Sequence, residues 1–352
     1  MNSRNSILDS TLQSNNQNKI KVDLDQLVKK ESIDNRSNIR TTWVRNIKVV
    51  LTSKINGEQI VFKSGNPELN ISIQGTKNLA LNKDKGTVTI TNIPYDLIIS
   101  IVSGQFYNIE IYAGYGKDTE PERYFKGEVS YISQKINTRR DVDTYITYAS
   151  SYVANFSQQR ISFNLNSGIN IYAAIEYMAR ESNINKIRIS PSLKKYFTNR
   201  VNNLDGQAGN LIEQIASQSD QTFYLSTDES DDDFYIDCTT LNDKRRIEID
   251  PNMIILTKGN PTISEVGLKA TFLPLINFKP GDIIIFPNYL IDASISDANS
   301  VVTTFNANFF SPTGQYMIRE LSYNFQNRGT IFELNITAIA LEILTGITGG
   351  VI

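Results

Sequence analysis

The chain is 352 residues long, with 35 Lys and Arg against 37 Asp and Glu, one cysteine and no histidine. A formal net charge of −2 leaves no basic footprint for nucleic-acid binding. The absence of histidine removes Ser-His-Asp and Cys-His catalysis, HExxH metalloprotease sites and most zinc sites. The single cysteine, Cys238, excludes an internal disulfide framework and fits a reducing compartment. It sits in the strand-like run FYIDC and reads as a small core residue, with no histidine to activate it.

Residues 1–42 are rich in Asn, Ser, Gln, Lys and Asp and poor in aromatics, a composition that cannot bury enough surface to fold alone. They read as a flexible N-terminal arm. Within it VDLDQLVKK places Val22, Leu24, Leu27 and Val28 for one short contact face. Ordering on a neighbouring subunit and a disordered leader are both open readings. The opening MNSRNSILDS lacks the apolar core of a signal peptide.

Residues 43–164 read as β structure. Ile47, Val49, Leu51 and Ile55 keep one parity, Asn56-Gly57 signals a hairpin, and QIVFK returns. LNISIQG, GTVTITNI, DLIISI, YNIEIYAG and RYFKGEVSYIS complete about seven short strands, a spacing that predicts a small barrel or sandwich.

Residues 165–248 change period. Ile171, Ile175 and Met178 fall at helical spacing, with Asn170 placed to cap and Asn183 to stop the helix. A second helix is predicted from Ala208, Leu211, Ile212, Ile215 and Ala216, with Asp205 as its cap. TFYLS and DFYID then form a hairpin around the acidic tip TDESDDD, making this segment a small α+β module.

Residues 249–345 return to strands, closing on a hairpin that turns at Asn327-Arg328-Gly329, and residues 346–352 form a tail. The apolar end ITAIALEILTGITGGVI contains Glu342 and three glycines and is short for a bilayer span. A last strand plus a tail buried against a partner is the expectation.

Chemistry finds little purchase. The acidic run Asp228, Glu229, Asp231, Asp232 and Asp233 lacks the glycine and terminal glutamate of a calcium loop, so it reads as a solvated tip. Glu110 and Glu128 could form a glycosidase pair only at a separation the sequence does not give. The GYG at 114–116 is not a phosphate loop. Lys244-Arg245-Arg246 reads as a solvated turn. The 17 Tyr and 16 Phe are spread through the strands instead of clustering with basic residues, which fits β cores and subunit contacts better than base stacking. No catalytic, cofactor or metal residue is assigned, and the chain reads as a non-enzyme.

Three stretches are nonetheless specific in order. Ile109 to Gly114 with Phe125 to Val129 resembles an (V/I)E(V/I)YAGY strand leading to a (I/F)(F/K)G(E/D)(I/V) strand. Gly259, Pro261, Gly267, Leu275, Pro280, Gly281 and Asp282 resemble a Gly-x-Pro, a central small-residue strand and a closing PGD turn. GQYMIRELSYNFQNRGTIFELNITAI resembles a terminal hairpin, departing at Tyr323-Asn324 where histidine-like residues are common. Together, over roughly residues 45–345, these resemble the baseplate hub proteins of contractile-tailed bacteriophages and related contractile injection systems.

That resemblance implies a mainly β fold with an α+β module, in which two tube-protein-like β-barrel domains flank a small helical domain. It implies no cofactor. The implied assembly is a homotrimer with a pseudo-sixfold ring, joining a hexameric tail tube protein to a trimeric central spike protein and contacting other baseplate proteins. DNA would pass the channel without specific binding, and nothing would insert in a membrane. The place would be the virion tail baseplate, assembled in the host cytoplasm. Phage tail and bacterial injection apparatus both remain open. So does a cell-surface carbohydrate-binding or cell-wall-degrading tail component using aromatic platforms or Glu110 and Glu128.

Overall fold

The computed structural model describes residues 19–21, 44–64, 69–79, 84–116, 120–150, 159–182, 187–199, 202–219, 223–228, 235–249, 261–264, 267–287, 291 and 311–344. Residues 117–119, most of the acidic run, most of the N-terminal arm, Asn183, Gly259 and the tail 346–352 lie outside them.

Alternating Val, Ile and Thr runs give the first β segment its strands. These are β2 (Arg45–Thr52), β3 (Gln59–Lys63), β4 (Asn70–Asn78), β5 (Lys85–Thr91), β6 (Asn108–Tyr115), β7 (Glu122–Ile136) and β8 (Val142–Ala149). The second segment supplies β15 (Thr262–Ser264), β16 (Gly267–Phe272), β17 (Ile283–Ile285), β18 (Gln315–Gln326) and β19 (Phe332–Ala340), and they are joined by β14 (Arg246–Glu248) from the last residues of the 165–248 segment. With β1 (Lys19–Lys21), which runs parallel to β14, they make one 14-stranded sheet. Its order is β1-β14-β17-β18-β4-β5-β8-β7-β6-β2-β3, and β19, β16 and β15 branch from β18.

Inward positions of both segments share one core. Ile47, Val49, Ile73, Val88 and Ile111 pack in the same cluster as Leu268, Phe272, Leu321, Leu334 and Ile336.

The α+β segment has its own core. Its helices are α2 (Ile171–Glu181) and α3 (Ala208–Ala216), beside the sheet β10-β13-β12 (Ile187–Ile189, Tyr235–Thr240, Phe223–Asp228). The pair β11-β9 (Asn202–Gln207, Arg160–Leu165) completes it. Asn170 caps α2 as expected, its side chain accepting from the Ala173 amide at 3.3 Å. The face Ala208, Leu211, Ile212, Ile215 and Ala216 is buried, and so is Cys238.

Four expectations change. DLIISI is a helix, α1 (Tyr95–Ser103), not a strand. Pro94 opens it, Ile98 and Ile101 are its buried pair three residues apart, and Gly104 closes it by bonding the Ser100 carbonyl. A β-branched run this short carries both periods, and packing decides between them. Ile55 is exposed in the turn after β2. Asp205 does not cap α3, because β11 continues to Gln207 and turns its carboxylate toward Arg160, 2.6 Å away. Lys244-Arg245-Arg246 is no solvated turn: Lys244 is buried, Arg245 pairs with Asp282 at 2.5 Å, and Arg246 bonds the Gln315 side chain. The sequence reading also passes over β8, whose alternation follows the same rule as its neighbours.

The two segments meet where β4 pairs with β18 from Asn78↔Glu320 to Ser72↔Gln326. One register row crosses this seam as Tyr323, Gly75, Gly86 and Tyr148 on β18, β4, β5 and β8. The tyrosine rings lie over the two glycines, and their hydroxyls meet at 2.9 Å in the interior. A Cβ on Gly75 would stand 2.4 Å from the Tyr323 ring, and one on Gly86 2.2 Å from the Tyr148 hydroxyl. Only glycine fits at either position.

Aromatic contacts extend the seam. Tyr115 meets Phe332 at 5.0 Å and Tyr124 meets Phe325 at 5.0 Å, both edge-on. Arg45 covers the Phe332 ring at 5.4 Å and donates to the carbonyls of Gln326, Gly329 and Thr330, fixing the expected turn at 327–329. The Asn327 side chain takes the place of a strand partner, donating to the Leu69 carbonyl and accepting from the Ile71 amide.

The PGD turn makes a second tie. Pro280 and Gly281, with φ of 91° at the glycine, form a type II turn closed by the Asp282 amide on the Lys279 carbonyl. The turn sets Asp282 against Arg245, whose guanidinium also donates to the Asn277 carbonyl at 2.6 Å. Asn277 in turn donates to the Arg123 carbonyl of β7. Burial pushes the Asp282 carboxyl up from its usual range, against the opposing pull of Arg245 and the Lys279 amide. At the chain's far end, Glu342 of α4 (Leu341–Leu344) accepts from the hydroxyls of Ser311 at 2.9 Å and Thr313 at 2.6 Å.

These ties make three predictions. Gly86→Ala destabilises the protein by about 3 kcal/mol, the upper end of overpacking, whereas Tyr323→Phe costs about 1 kcal/mol for one hydrogen bond; urea midpoints at unchanged slope measure both. Asp282→Asn costs about 3 kcal/mol, the low end for breaking a buried pair, because the Arg245 side chain is 34% exposed. In the double variant Asp282→Leu with Arg245→Met part of that loss returns. The third concerns acid. Burial raises the Glu342 carboxyl, but its hydroxyl and amide donors more than offset this and hold it below its usual value. Its stabilisation is therefore complete above the unfolded carboxylate range, about 4.3, and is lost as pH falls through the lower folded value. Glu342→Gln flattens that part of the urea midpoint against pH.

Candidate assembly surface and the sheet face across the seam

The residues flagged for chemistry do not assemble. Glu110 and Glu128 lie on the same face of β6 and β7, opposite Lys126 and Asn108 respectively. Each is held by its own cations. Glu110 accepts from the Tyr112 hydroxyl at 2.5 Å, with Arg123 at 3.6 Å and Lys126 at 3.8 Å, while Glu128 pairs with Lys54 at 2.8 Å. Burial, the bond to Glu110 and its charge push the Tyr112 phenol up to about 12. Lys48 stands over the Tyr112 ring at 4.6 Å and pairs with Glu120 at the base of the 109–129 hairpin tip. Among the described residues no group of His, Cys, Asp and Glu could hold a metal ion. No described helix is long and apolar enough to cross a membrane.

The outward face of the sheet divides in two. On β3, β2, β6 and β7 it is charged and ion-paired, as above. On β8, β5, β4, β18, β19 and β16 it is mostly uncharged. One row there runs Thr147, Thr87, Gln74, Asn324 and Glu333 across the seam. Another runs Thr271, Asn335, Ser322, Thr76 and Lys85. Ser, Thr, Asn and Gln fill most outward positions, because the alternation that sends Ile and Val inward sends hydroxyls and amides out. An open cleft of about 240 Å³ lies at its β7–β8 end, where Asp143 and Asp141 are bonded by Thr91, Asn137 and Asn92.

Apolar surface is exposed elsewhere. Tyr95, Ile99 and Val102 make a stripe along α1, exposed by 69%, 49% and 54%. Spacings of four and three put them on one helix face, a signal the strand reading of DLIISI concealed. The glycines under the tyrosines also had a signal, since Gly75 and Gly86 each interrupt a strand pattern.

No family model matches the sequence, and no curated protein matches it. Solved structures do. The 43 kDa tail protein of prophage MuSo2 from Shewanella oneidensis aligns over 84% of this chain and 98% of its own, at 9% identity and a TM-score of 0.51. A tail protein from Neisseria meningitidis MC58 aligns over 86% and 98%, at 6% identity and 0.51.

The chain has a tail-protein fold.

An Escherichia coli component of the type VI secretion system, itself described as similar to the T4 bacteriophage tail proteins gp27 and gp5, covers 77% of this tail-fold chain and 73% of its own. It stands at 10% identity and 0.48. The mainly β expectation thus meets the mainly β fold of these tail proteins.

Proposed function

We propose that the protein is a structural baseplate hub of a contractile tail, and not an enzyme. Residues 43–164 and 249–345 act as two tube-like β domains with 165–248 as the module between them in sequence. Three chains close into a ring that offers six similar β units, so a trimeric spike on one side meets a hexameric tube on the other. A chain carrying two β units is the simplest device by which threefold symmetry presents six edges. The observation that carries this reading is the seam: β4 and β18 pair edge to edge, and one core continues beneath them. The tail-protein fold supports it. DNA passes through the channel, in the virion of a phage tail assembled in the host cytoplasm.

The carbohydrate-binding or lytic reading gains no support, since Glu110 and Glu128 are each tied to lysine or arginine. The stripe on α1 suits a subunit, tube or spike contact.

Light-scattering mass in solution tests the ring. Three times the 39.7 kDa chain mass is expected, alone or with a tube or spike protein added. A single-chain mass under all these conditions contradicts it. Peptidoglycan clearing by the wild-type protein, lost in Glu128→Gln, would replace the hub reading with the lytic one.

A further inference from the structure

We propose that the mainly hydroxyl- and amide-bearing, charge-balanced outward face of β8, β5, β4, β18, β19 and β16 is the wall past which double-stranded DNA slides. This rests on the ring reading and says which surface of the chain faces the channel.

The face is continuous. Because β4 and β18 share a ladder of hydrogen bonds, a row such as Thr87, Gln74 and Asn324 crosses from one β segment to the other without a gap. A wall built this way offers a moving polymer no step at the seam. Its groups are short hydroxyls and amides that hold water.

Charge separates passage from binding. Lys85, Lys269, Asp143, Glu320 and Glu333, with Arg319 exposed at the bulge of β18, are the charged outward residues of these six strands, three of each sign. Every lysine or arginine that neutralises a phosphate releases counterions and strengthens the hold on DNA, adding about 0.9 to the slope of log affinity against log salt. A wall whose three cations are offset by three acids has no net pull on phosphates, so a duplex gains little by stopping there. The other half of the same sheet face, bearing Lys48, Lys63, Arg123 and Lys126, lacks this property.

A protein partner fits the face poorly. Stable interfaces centre on buried aromatics, methionine and arginine; the apolar groups outward on these six strands are Tyr145, Ala149, Ile339 and Met317, the last already packed with Leu241, Ile283, Leu79 and Leu341 of the same chain, and Arg319 is the one arginine. The α1 stripe has the chemistry of a contact, and this face does not.

The test converts the wall into a binder. Lysines replace Thr87, Gln74 and Ser322 in one full-length variant, and Asn56, Glu58 and Gln59, exposed at the β2–β3 turn, in a control variant. Retention of linear and covalently closed circular duplex is measured for both and for the wild type. The wild type is expected to retain neither. The wall variant should retain linear duplex about tenfold or more over closed circles, since only a free end can thread a ring, and should lose it by about a thousandfold between about 50 and 200 mM salt. The control should treat the two DNA forms alike.

Equal retention of circles by the wall variant would put the face outside the ring and overturn the proposal while leaving the ring standing. Tight retention of linear duplex by the wild type would make the face a binding site and overturn it too. A single-chain mass overturns the ring reading and this inference together.

Should the wall variant fail to fold, Thr89→Cys and Glu58→Cys in a Cys238→Ser background replace it. A small maleimide should label both, and a protein-sized maleimide only position 58. Equal labelling of both by the large reagent would contradict the proposal.

Discussion

Two tyrosine rings lying over two glycines hold the molecule's halves in register. Tyr148 and Tyr323 are 175 residues apart in sequence, yet their hydroxyls touch in the interior at 2.9 Å. The contact exists only because β4 and β5 put Gly75 and Gly86 opposite each other beneath the rings. A one-residue slip of β18 on β4 would turn Tyr323 outward and carry Leu321 and Phe325 with it, so the row fixes the register of the whole seam. The shared core, the Arg45 clasp on the 327–330 turn and the aromatic contacts all presuppose that register.

Around the seam, polar ties act where the backbone has no strand partner. Asn327 stands in for the next strand residue beside Leu69 and Ile71. Arg245, Asn277 and Asp282 link the PGD turn to β7: Arg245 bonds the Asp282 carboxylate and the Asn277 carbonyl, and Asn277 donates to the Arg123 carbonyl. The resemblance to tail hubs singled out Pro280, Gly281 and Asp282. Their physical content is a type II turn that delivers a carboxylate to an arginine.

Much of this was legible in the residues. Alternation gave most strands of the first β segment, though not β8, and the closing hairpin; Asn56-Gly57 gave the first hairpin, and the i, i+3, i+4 pattern gave α2 and α3. What was not legible depended on contacts across long separations. DLIISI carries helix and strand periods alike until Ile98 and Ile101 find the core. Asp205 looks like a cap until β11 runs two residues further. Arg245 looks solvated until Asp282 arrives from 37 residues away. Glu110 and Glu128 could have formed a catalytic pair by sequence, but the carboxylates of the 109–129 hairpin are spent on Lys48, Lys54, Arg123 and Lys126.

The central claim is that one chain contributes two side-by-side β units to a closed ring. Electron microscopy of the purified oligomer tests it most directly. End-on class averages are predicted to show threefold particles with a central channel and six similar lobes around it. Particles without a channel, or rings whose subunit number is not three, would contradict the account.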